Sequence, residues 1–500
     1  MTAVLRVSVV VAGAVAMGAA TTIDGATWLE WALAASSHGV LPDTTRLAIA
    51  DMPRVLAVSG VLLIAGAAFM PAIVHASVAF MREASAGRFA AVVVGASMVL
   101  RLLYALSIDN APVADWEAYD RLARSLINGT GYAEDGRLSA YRPPGYPIFL
   151  AGIYAVFGPH AGAAKIANVL LGSATVYLIY LVGRAWFDDH AARCAAILTA
   201  IFPTQIYFTA LLASEVLFTL LFCLSLWLMR PSFPSQPGKG LPGQLLGAGV
   251  VLGLSALVRP VTLLFPLLLA GVGTAQLMLG RRRAGELAGA VAVISLGVAI
   301  AIAPWLIRNQ MVFGEPIAIS TSGAENFWIG AHAGADGSGT PAVPYDEVVA
   351  KHGGDPAAGY VEGWRFVRQH PTEYLWLAAK KTHRLLGSGN YGVNWEIGLD
   401  PLRPLRPSAR ILLGMAAHWY YVGVGLLALL IVWLEPRSMP AWFGVAIICY
   451  WIAFHALFFG QPRFHFPLEP VLALLAGVSL RALGRRQPFH GMIRSAATAA

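Results

Sequence analysis

The chain is predicted to be an all-α polytopic membrane protein, on three observations. Of its 500 residues, 57% are hydrophobic and 12% charged, with a mean hydropathy of +0.64, whereas a soluble chain carries about 25% charged residues. The apolar residues fall in runs of roughly twenty, the length at which a helix crosses ~30 Å of hydrocarbon. The Lys and Arg behind the formal net charge of +8 gather in short loops between those runs. The positive-inside rule places such loops in the cytoplasm, so the basic charge needs no nucleic-acid partner.

Twelve spans are expected, near residues 4–20, 55–80, 89–108, 162–183, 195–212, 215–231, 244–259, 261–279, 286–304, 411–434, 441–459 and 466–483. The first has an arginine, Arg6, near its start and small residues after it, a pattern shared with signal peptides. It is read as a retained span, because the topology works with it in place. With the N-terminus inside, Arg82, Arg88, Arg184, Arg193, Arg230, Lys239, Arg281-Arg-Arg283, Arg437 and the tail with Arg485, Arg486 and Arg494 all lie on the cytoplasmic side. Cys194, Cys223 and Cys449 have neither metal spacing nor a plausible disulfide, and read as small buried hydrophobes.

This orientation divides the chain into a two-helix extension (1–88), a transmembrane core (89–304) with an outside loop at 109–161, an outside segment (305–410), and C-terminal spans with a basic cytoplasmic tail (411–500). The outside segment is Gly-rich around 331–340 and helical over 360–386, with Pro371 breaking that stretch into two helices.

The first outside loop carries the most chemistry. Trp116, Tyr119, Ala123 and Leu126 share one helical face. Asp115, Glu117, Asp120, Arg121 and Arg124 fall largely away from it, and Gly129 ends the run as a C-cap. The pattern predicts an amphipathic surface helix with its aromatics at headgroup level. Asp115 at its start reads, from the helix alone, as an N-cap.

Beyond that helix, Arg142-Pro-Pro-Gly-Tyr146 is a rigid turn that returns a cation to the membrane surface. Lys165 lies just inside the next span, a place where a lone lysine snorkels. Glu215, Arg259 and Arg463 each interrupt apolar sequence at an outside turn. A charge there is costly unless it faces a cavity or an opposite charge. Asp115, Arg142, Lys165, Glu215, Arg259 and Arg463 thus all reach one leaflet, and Glu215 with Arg259 is also readable as a structural pair. Asp115 and Asp120 form a weak metal pair, since residues five apart share no helix face, and no metal site is predicted. Asn326, in Asn326-Phe-Trp-Ile-Gly330, is a candidate for shaping a substrate cleft, and Trp328, Trp364, Trp376 and Trp395 read as an interfacial aromatic belt.

Several stretches resemble the GT-C superfamily of polyprenyl-phosphate-sugar-dependent glycosyltransferases, in particular the bacterial branch with aminoarabinose and galacturonic acid transferases and the relatives of protein O-mannosyltransferases. They are Asp115 to Tyr132, Tyr141-Arg-Pro-Pro-Gly-Tyr-Pro-Ile-Phe-Leu-Ala151, Gly183-Arg-Ala-Trp-Phe187, Ser214-Glu215, Leu257-Val-Arg-Pro260, Pro304-Trp-Leu-Ile-Arg-Asn309 and Arg463-Phe-His-Phe-Pro-Leu-Glu-Pro470. The likeness runs over roughly residues 89–485. It implies a GT-C-type helical bundle in the bacterial inner membrane, with both termini cytoplasmic and the active site outside.

By the same resemblance, Asp115 is the catalytic base and Arg142 contacts the lipid phosphate. Arg259 and Arg463 are looser matches, and Glu215 joins the catalytic pair; Lys165, outside the matching stretches, joins the donor-phosphate set by its depth beside Arg142 and Asp115. Tyr119, Tyr146 and Glu117 border the substrate cleft, although Trp116 separates Glu117 from Asp115 where some members have adjacent acids. The implied partners are a polyprenyl-phosphate-linked sugar, an envelope glycan, lipid or protein acceptor, and the bilayer. Two other functions fit membrane spans with polar interruptions: a secondary transporter of a small solute, and a polysaccharide ligase or polymerase using a polyprenyl diphosphate. Transporters favour paired repeats and helices interrupted at mid-bilayer, whereas these charges gather at the outer surface.

Overall fold

The regular elements of the computed structural model are helices and one short β-pair; it describes residues 3–35, parts of 50–61, 79–110 except 82, 114–230, 242–280, 283–339, 344–387, 389 and 407–486. The N-terminal region contributes α1 (Ala3–Thr22) and α2 (Gly25–Ala35). The span expected near 55–80 lies largely outside the described residues, as do Lys239, Arg281, Arg282, Trp395 and Arg494.

Seven helical segments among the described residues are long and apolar enough to cross a membrane. They are α3 (Ala86–Ser107), the long α6 (Ala161–Trp186), 260–278, α12 (Ala284–Phe313), 410–434, α19 (Met439–Leu457) and 462–485. Within three of these run α11 (Phe265–Met278), α17 (Pro407–Leu429) with α18 (Ile431–Leu434), and α20 (Glu469–Arg486). The predicted all-α polytopic membrane fold is therefore the fold observed. Residues 462–485 form its centre, with 78% of their apolar window buried against 22% for α3. α9 (Ser214–Leu228) and α10 (Pro242–Val258), expected as full spans, are apolar but shorter among the described residues. Cys194 and Cys223 are buried, while Cys449 is exposed on α19, contrary to the expectation of three buried thiols.

The span expected at 195–212 is broken. α7 (Asp189–Ala200) and α8 (Pro203–Tyr207), which runs on as a 3-10 turn to Ala210, meet at 58°. Pro203 removes a helix hydrogen bond, and the residue before a proline avoids the α conformation. The opened backbone needs internal partners. Arg101 of α3, fully buried, donates to the carbonyls of Ala200 at 2.8 Å and Thr199 at 3.2 Å. On the other side of the break, Thr204 Oγ1 and Gln205 Nε2 donate to the buried Glu469 carboxyl at 2.5 and 2.8 Å.

Antiparallel succession brings the C-terminal ends of α3, α10, α12 and α19 and the N-terminal ends of α6, α9, α11 and α20 to one end of the bundle. The opposite end carries the basic turns, where Arg481 pairs with Asp188 at 2.8 Å and with Glu435 at 2.5 Å. α12 continues nine residues past the expected end at 304, through Pro304 to Phe313. Membrane helices tolerate proline when neighbours satisfy the freed group, and Gly314 ends the helix in the left-handed conformation (φ 75°).

The loop after α3 holds α4 (Asp115–Ile127), a β-hairpin of β1 (Ala133–Glu134) and β2 (Arg137–Leu138), and α5 (Gly145–Phe157). The apolar helix α5, where the sequence indicated only a proline turn, packs its start against the end of α10. A Cβ on Gly145 would lie 2.7 Å from Val258 Cγ2 and 2.8 Å from Val258 N. Gly145→Ala is therefore expected to destabilise the protein by about 1–3 kcal/mol through overpacking against backbone, measurable as a lowered thermal midpoint in detergent. An unchanged midpoint would show that α5 shifts at no cost.

The later polar segment forms α13 (Gly323–Ile329), α14 (Tyr345–Lys351), α15 (Ala358–Gln369) and α16 (Pro371–Leu386), the last two separated at Pro371 as expected. Lys381 ties α16 to the end of α19, its Nζ donating to the carbonyls of Ala456 at 3.0 Å and Leu457 at 3.4 Å. Burial pushes Lys381 down from its ordinary 10.5 to about 7. A lysine with a depressed native pKa binds fewer protons folded than unfolded between those values, so stability rises with pH across that window. Thermal midpoints are expected to climb from pH 7 toward pH 10 in the wild type, and Lys381→Met should flatten that limb. An equal climb in both proteins removes Lys381 as its cause.

Candidate active site

Asp115 opens α4, but its side chain does not cap the helix. The residue before it, Ala114, takes a positive φ of 52°, and both Asp115 oxygens are taken by arginines. Arg142 Nη1 donates to Oδ1 at 2.7 Å and Arg463 Nη1 to Oδ2 at 2.8 Å. The N-cap reading thus gives way to a doubly charge-assisted clamp, which a local sequence pattern does not reveal because its arms lie 27 and 348 residues away. Burial alone would raise this carboxyl, but the guanidiniums of Arg463 and Arg142 outweigh it and hold Asp115 down at about 2. Asp115 nonetheless keeps about a quarter of its side chain exposed (26%).

A second pair lies beside the first. Glu215, at the start of α9 and 1% exposed, accepts from Arg259 Nη1 at 2.6 Å, and Ser214 Oγ accepts from the same nitrogen at 3.2 Å. Phe464 joins the pairs: Arg259 stands 5.0 Å and Arg463 5.3 Å from its ring centre. Tyr119 of α4 sits at the same junction, below Arg142 at 5.7 Å and edge-on to Tyr146 at 5.2 Å. Burial raises its phenol, the Asp115 and Glu215 charges add to that, and Arg259 and Arg142 oppose it.

The arm bearing Arg142 is held from three sides. Glu134 of β1 approaches Arg142 Nε at 3.4 Å and accepts from Ser139 Oγ at 2.8 Å. Arg308 of α12 donates to the Ser139 carbonyl at 2.9 Å and lies over the rings of Trp305 and Tyr132. Tyr141 donates to Glu325 of α13 at 2.5 Å, and the Thr321 amide donates to the Ala140 carbonyl at 2.9 Å. Arg308 stood within a recognisable motif and Phe464 beside Arg463, so both were within reach of the sequence. Glu134 and Glu325 carried no signal.

The other predicted residues take various places. Lys165, 8% exposed, donates to the Ile108 carbonyl at 2.7 Å, fastening the end of α3. Tyr146 is 1% exposed, inside the core. Glu117 points to solvent and pairs with Arg121 at 3.0 Å, away from the Asp115 clamp. Asn326 lies in α13 beside Glu325, its backbone N–H donating to the Ser322 carbonyl. Asp120 accepts from Arg124 at 2.7 Å and Tyr154 at 2.5 Å, so it is turned from Asp115. Trp116 is 1% exposed and packs into protein, not at headgroup level as the amphipathic pattern suggested. Among the described residues no group of three or more His, Cys, Asp or Glu is placed to hold a metal ion.

Residues 141–307, which carry Arg142, Glu215 and Arg259, match the family of dolichyl-phosphate-mannose-protein mannosyltransferases. No curated protein sequence matches the chain significantly. Among solved structures, ArnT from Cupriavidus metallidurans bound to undecaprenyl phosphate superposes with a TM-score of 0.51 at 16% identity, over 83% of this chain. This chain spans 64% of the length of that protein. The apo state of the same ArnT gives 0.49 at 15% identity, over 83% of this chain and 64% of that one. The Archaeoglobus fulgidus oligosaccharyltransferase gives 0.46 at 15%, over 80% and 52%. The chain thus shares the helical fold of ArnT, and its residues 141–307 are similar to the mannosyltransferase family.

Proposed function

We propose that the protein is an inverting glycosyltransferase that moves a sugar from a polyprenyl-phosphate donor to a hydroxyl of an envelope acceptor, at the outer face of a bacterial inner membrane. The observation that carries this reading is the Asp115 carboxylate held between Arg142 and Arg463 at one end of a membrane bundle. The positive-inside pattern puts that end outside and both termini in the cytoplasm.

The chemistry needs a base and a seat for the leaving group. Asp115 takes the proton of the acceptor hydroxyl as its oxygen attacks C1 of the sugar. The C1–O bond to phosphate breaks, and the polyprenyl phosphate departs with the electron pair. Arg142 and Arg463, with Arg259 behind them, stabilise the charge that develops there, in a site where water screens poorly. A single displacement inverts the anomeric carbon, as in inverting glycosidases. Lys165 supports the donor site by fixing the end of α3. Tyr119 forms its wall with Tyr146 packed behind it, and Asn326 with α13 borders the acceptor side, where the 305–410 segment sets acceptor choice.

The broken span at α7 and α8 is a feature a transporter would also show. Its polar groups are occupied as structural ties, Arg101 to carbonyls and Glu469 to Thr204 and Gln205, which leaves the glycosyl-transfer reading in front. Purified protein given radiolabelled polyprenyl-phosphate sugars and a total envelope extract is expected to release polyprenyl phosphate and label an acceptor. Solute binding without any sugar transfer would replace this reading with the transporter.

A further inference from the structure

We propose that Arg142 and Arg463 change partners during the reaction: they hold the Asp115 carboxylate in the resting protein and the donor phosphate once it binds, so that the base is uncovered only when a donor is present. The inference rests on the glycosyl-transfer reading and adds a gate to it. Its starting point is a conflict within the observed geometry. Each Asp115 oxygen is engaged by a guanidinium, at 2.7 and 2.8 Å, and a carboxylate so engaged is a poor proton acceptor. The resting arrangement therefore protects the base.

Charge points the same way. The cluster holds three carboxylates, Asp115, Glu134 and Glu215, and three guanidiniums, Arg142, Arg259 and Arg463. An incoming phosphate therefore competes with these carboxylates for the same guanidiniums. The Glu215–Arg259 pair is the harder to open, because Glu215 is 1% exposed and would be left charged in the protein interior. The Asp115 clamp lies nearer solvent, with Asp115 26% exposed. Each arm also keeps a second support when it lets go: Arg142 has Glu134 at 3.4 Å, and Arg463 donates to Gln461 Oε1 at 2.8 Å.

The reaction moves charge along the same line. A donor phosphodiester carries one negative charge and the product phosphomonoester two, while Asp115 goes from anion to neutral acid as it takes the acceptor proton. One unit of charge thus leaves Asp115 and arrives at the phosphate. Cations that touched the first and then hold the second follow it over a short distance. The titratable or charged groups facing Asp115 are Tyr119 on its own helix, Tyr141 and Arg142 on the loop with Glu134 behind, and Arg463 on the turn before α20.

The test is proton linkage on binding. Undecaprenyl phosphate is titrated calorimetrically into the full-length protein in detergent at pH 6, in buffers of different ionisation enthalpy, for wild type and Asp115→Asn. Removing the arginines from the buried Asp115 carboxyl raises its pKa, so the wild type is expected to take up more protons on binding than the variant. An infrared band of a protonated carboxyl should appear on binding in the wild type. That second measurement decides alone if the variant does not fold. Binding with equal proton uptake in both proteins and no new band overturns the exchange and leaves the transferase reading intact. Failure of undecaprenyl phosphate to bind at all overturns both.

Discussion

Asp115→Asn is expected to lower sugar transfer by about 10²–10⁴-fold, the range that general-base catalysis supplies, equivalent to about 3–5 kcal/mol in the barrier. The asparagine keeps the shape of the side chain and one acceptor oxygen, so the fold around α4 should persist. What disappears is the site for the acceptor proton. Donor affinity should hold or improve, because Arg142 and Arg463 lose their carboxylate partner and remain to bind phosphate. A fall in kcat with an unchanged or lower KM for the donor is the expected signature, since it marks an interaction made in the transition state. Glu117→Gln is the matched control: Glu117 pairs with Arg121 in solvent, both side chains more than half exposed, and its turnover should stay within about twofold of wild type, as surface pairs contribute little. Undiminished transfer in Asp115→Asn would remove Asp115 as the base.

Much of this arrangement was legible in the sequence because the lipid environment constrains it. Runs of twenty apolar residues and basic short loops leave few alternatives to a helical bundle, and a charge at a span end needs a partner. Asp115, Arg142, Glu215, Arg259 and Arg463 were each visible on that ground. The Glu215–Arg259 pair was readable as well, but the clamp on Asp115 was not. Asp115 meets Arg463 across 348 residues, and nothing local in either segment encodes that contact. The break at Pro203 was missed because apolar sequence continues through it, and the bend depends on Arg101 and Glu469 from two other spans. The continuation of α12 past Pro304 failed in the opposite direction: a proline that ends helices in water interrupts only one bond here. α5 was hidden because its thirteen residues are too short to read as a span.

Arg259→Met is expected to destabilise the protein by about 3–5 kcal/mol, because it strands the Glu215 carboxylate, 1% exposed and bonded at 2.6 Å, without its cation. Glu215→Gln should cost less. Arg259 is 17% exposed, and it retains Ser214 Oγ and the face of Phe464. The double variant Glu215→Gln/Arg259→Met removes both charges together and should recover most of the loss, since a buried pair gains little over apolar contacts while a half-pair is costly. Thermal or denaturant midpoints of the four proteins in one detergent measure this coupling, and additive losses would show that the two side chains act independently. The same four proteins separate structure from chemistry. If Arg259 stabilises the departing phosphate, the double variant regains stability while transfer stays depressed. If the pair serves only to hold α9 against the end of α10, stability and transfer return together, and the charge on the leaving group rests on Arg142 and Arg463 alone.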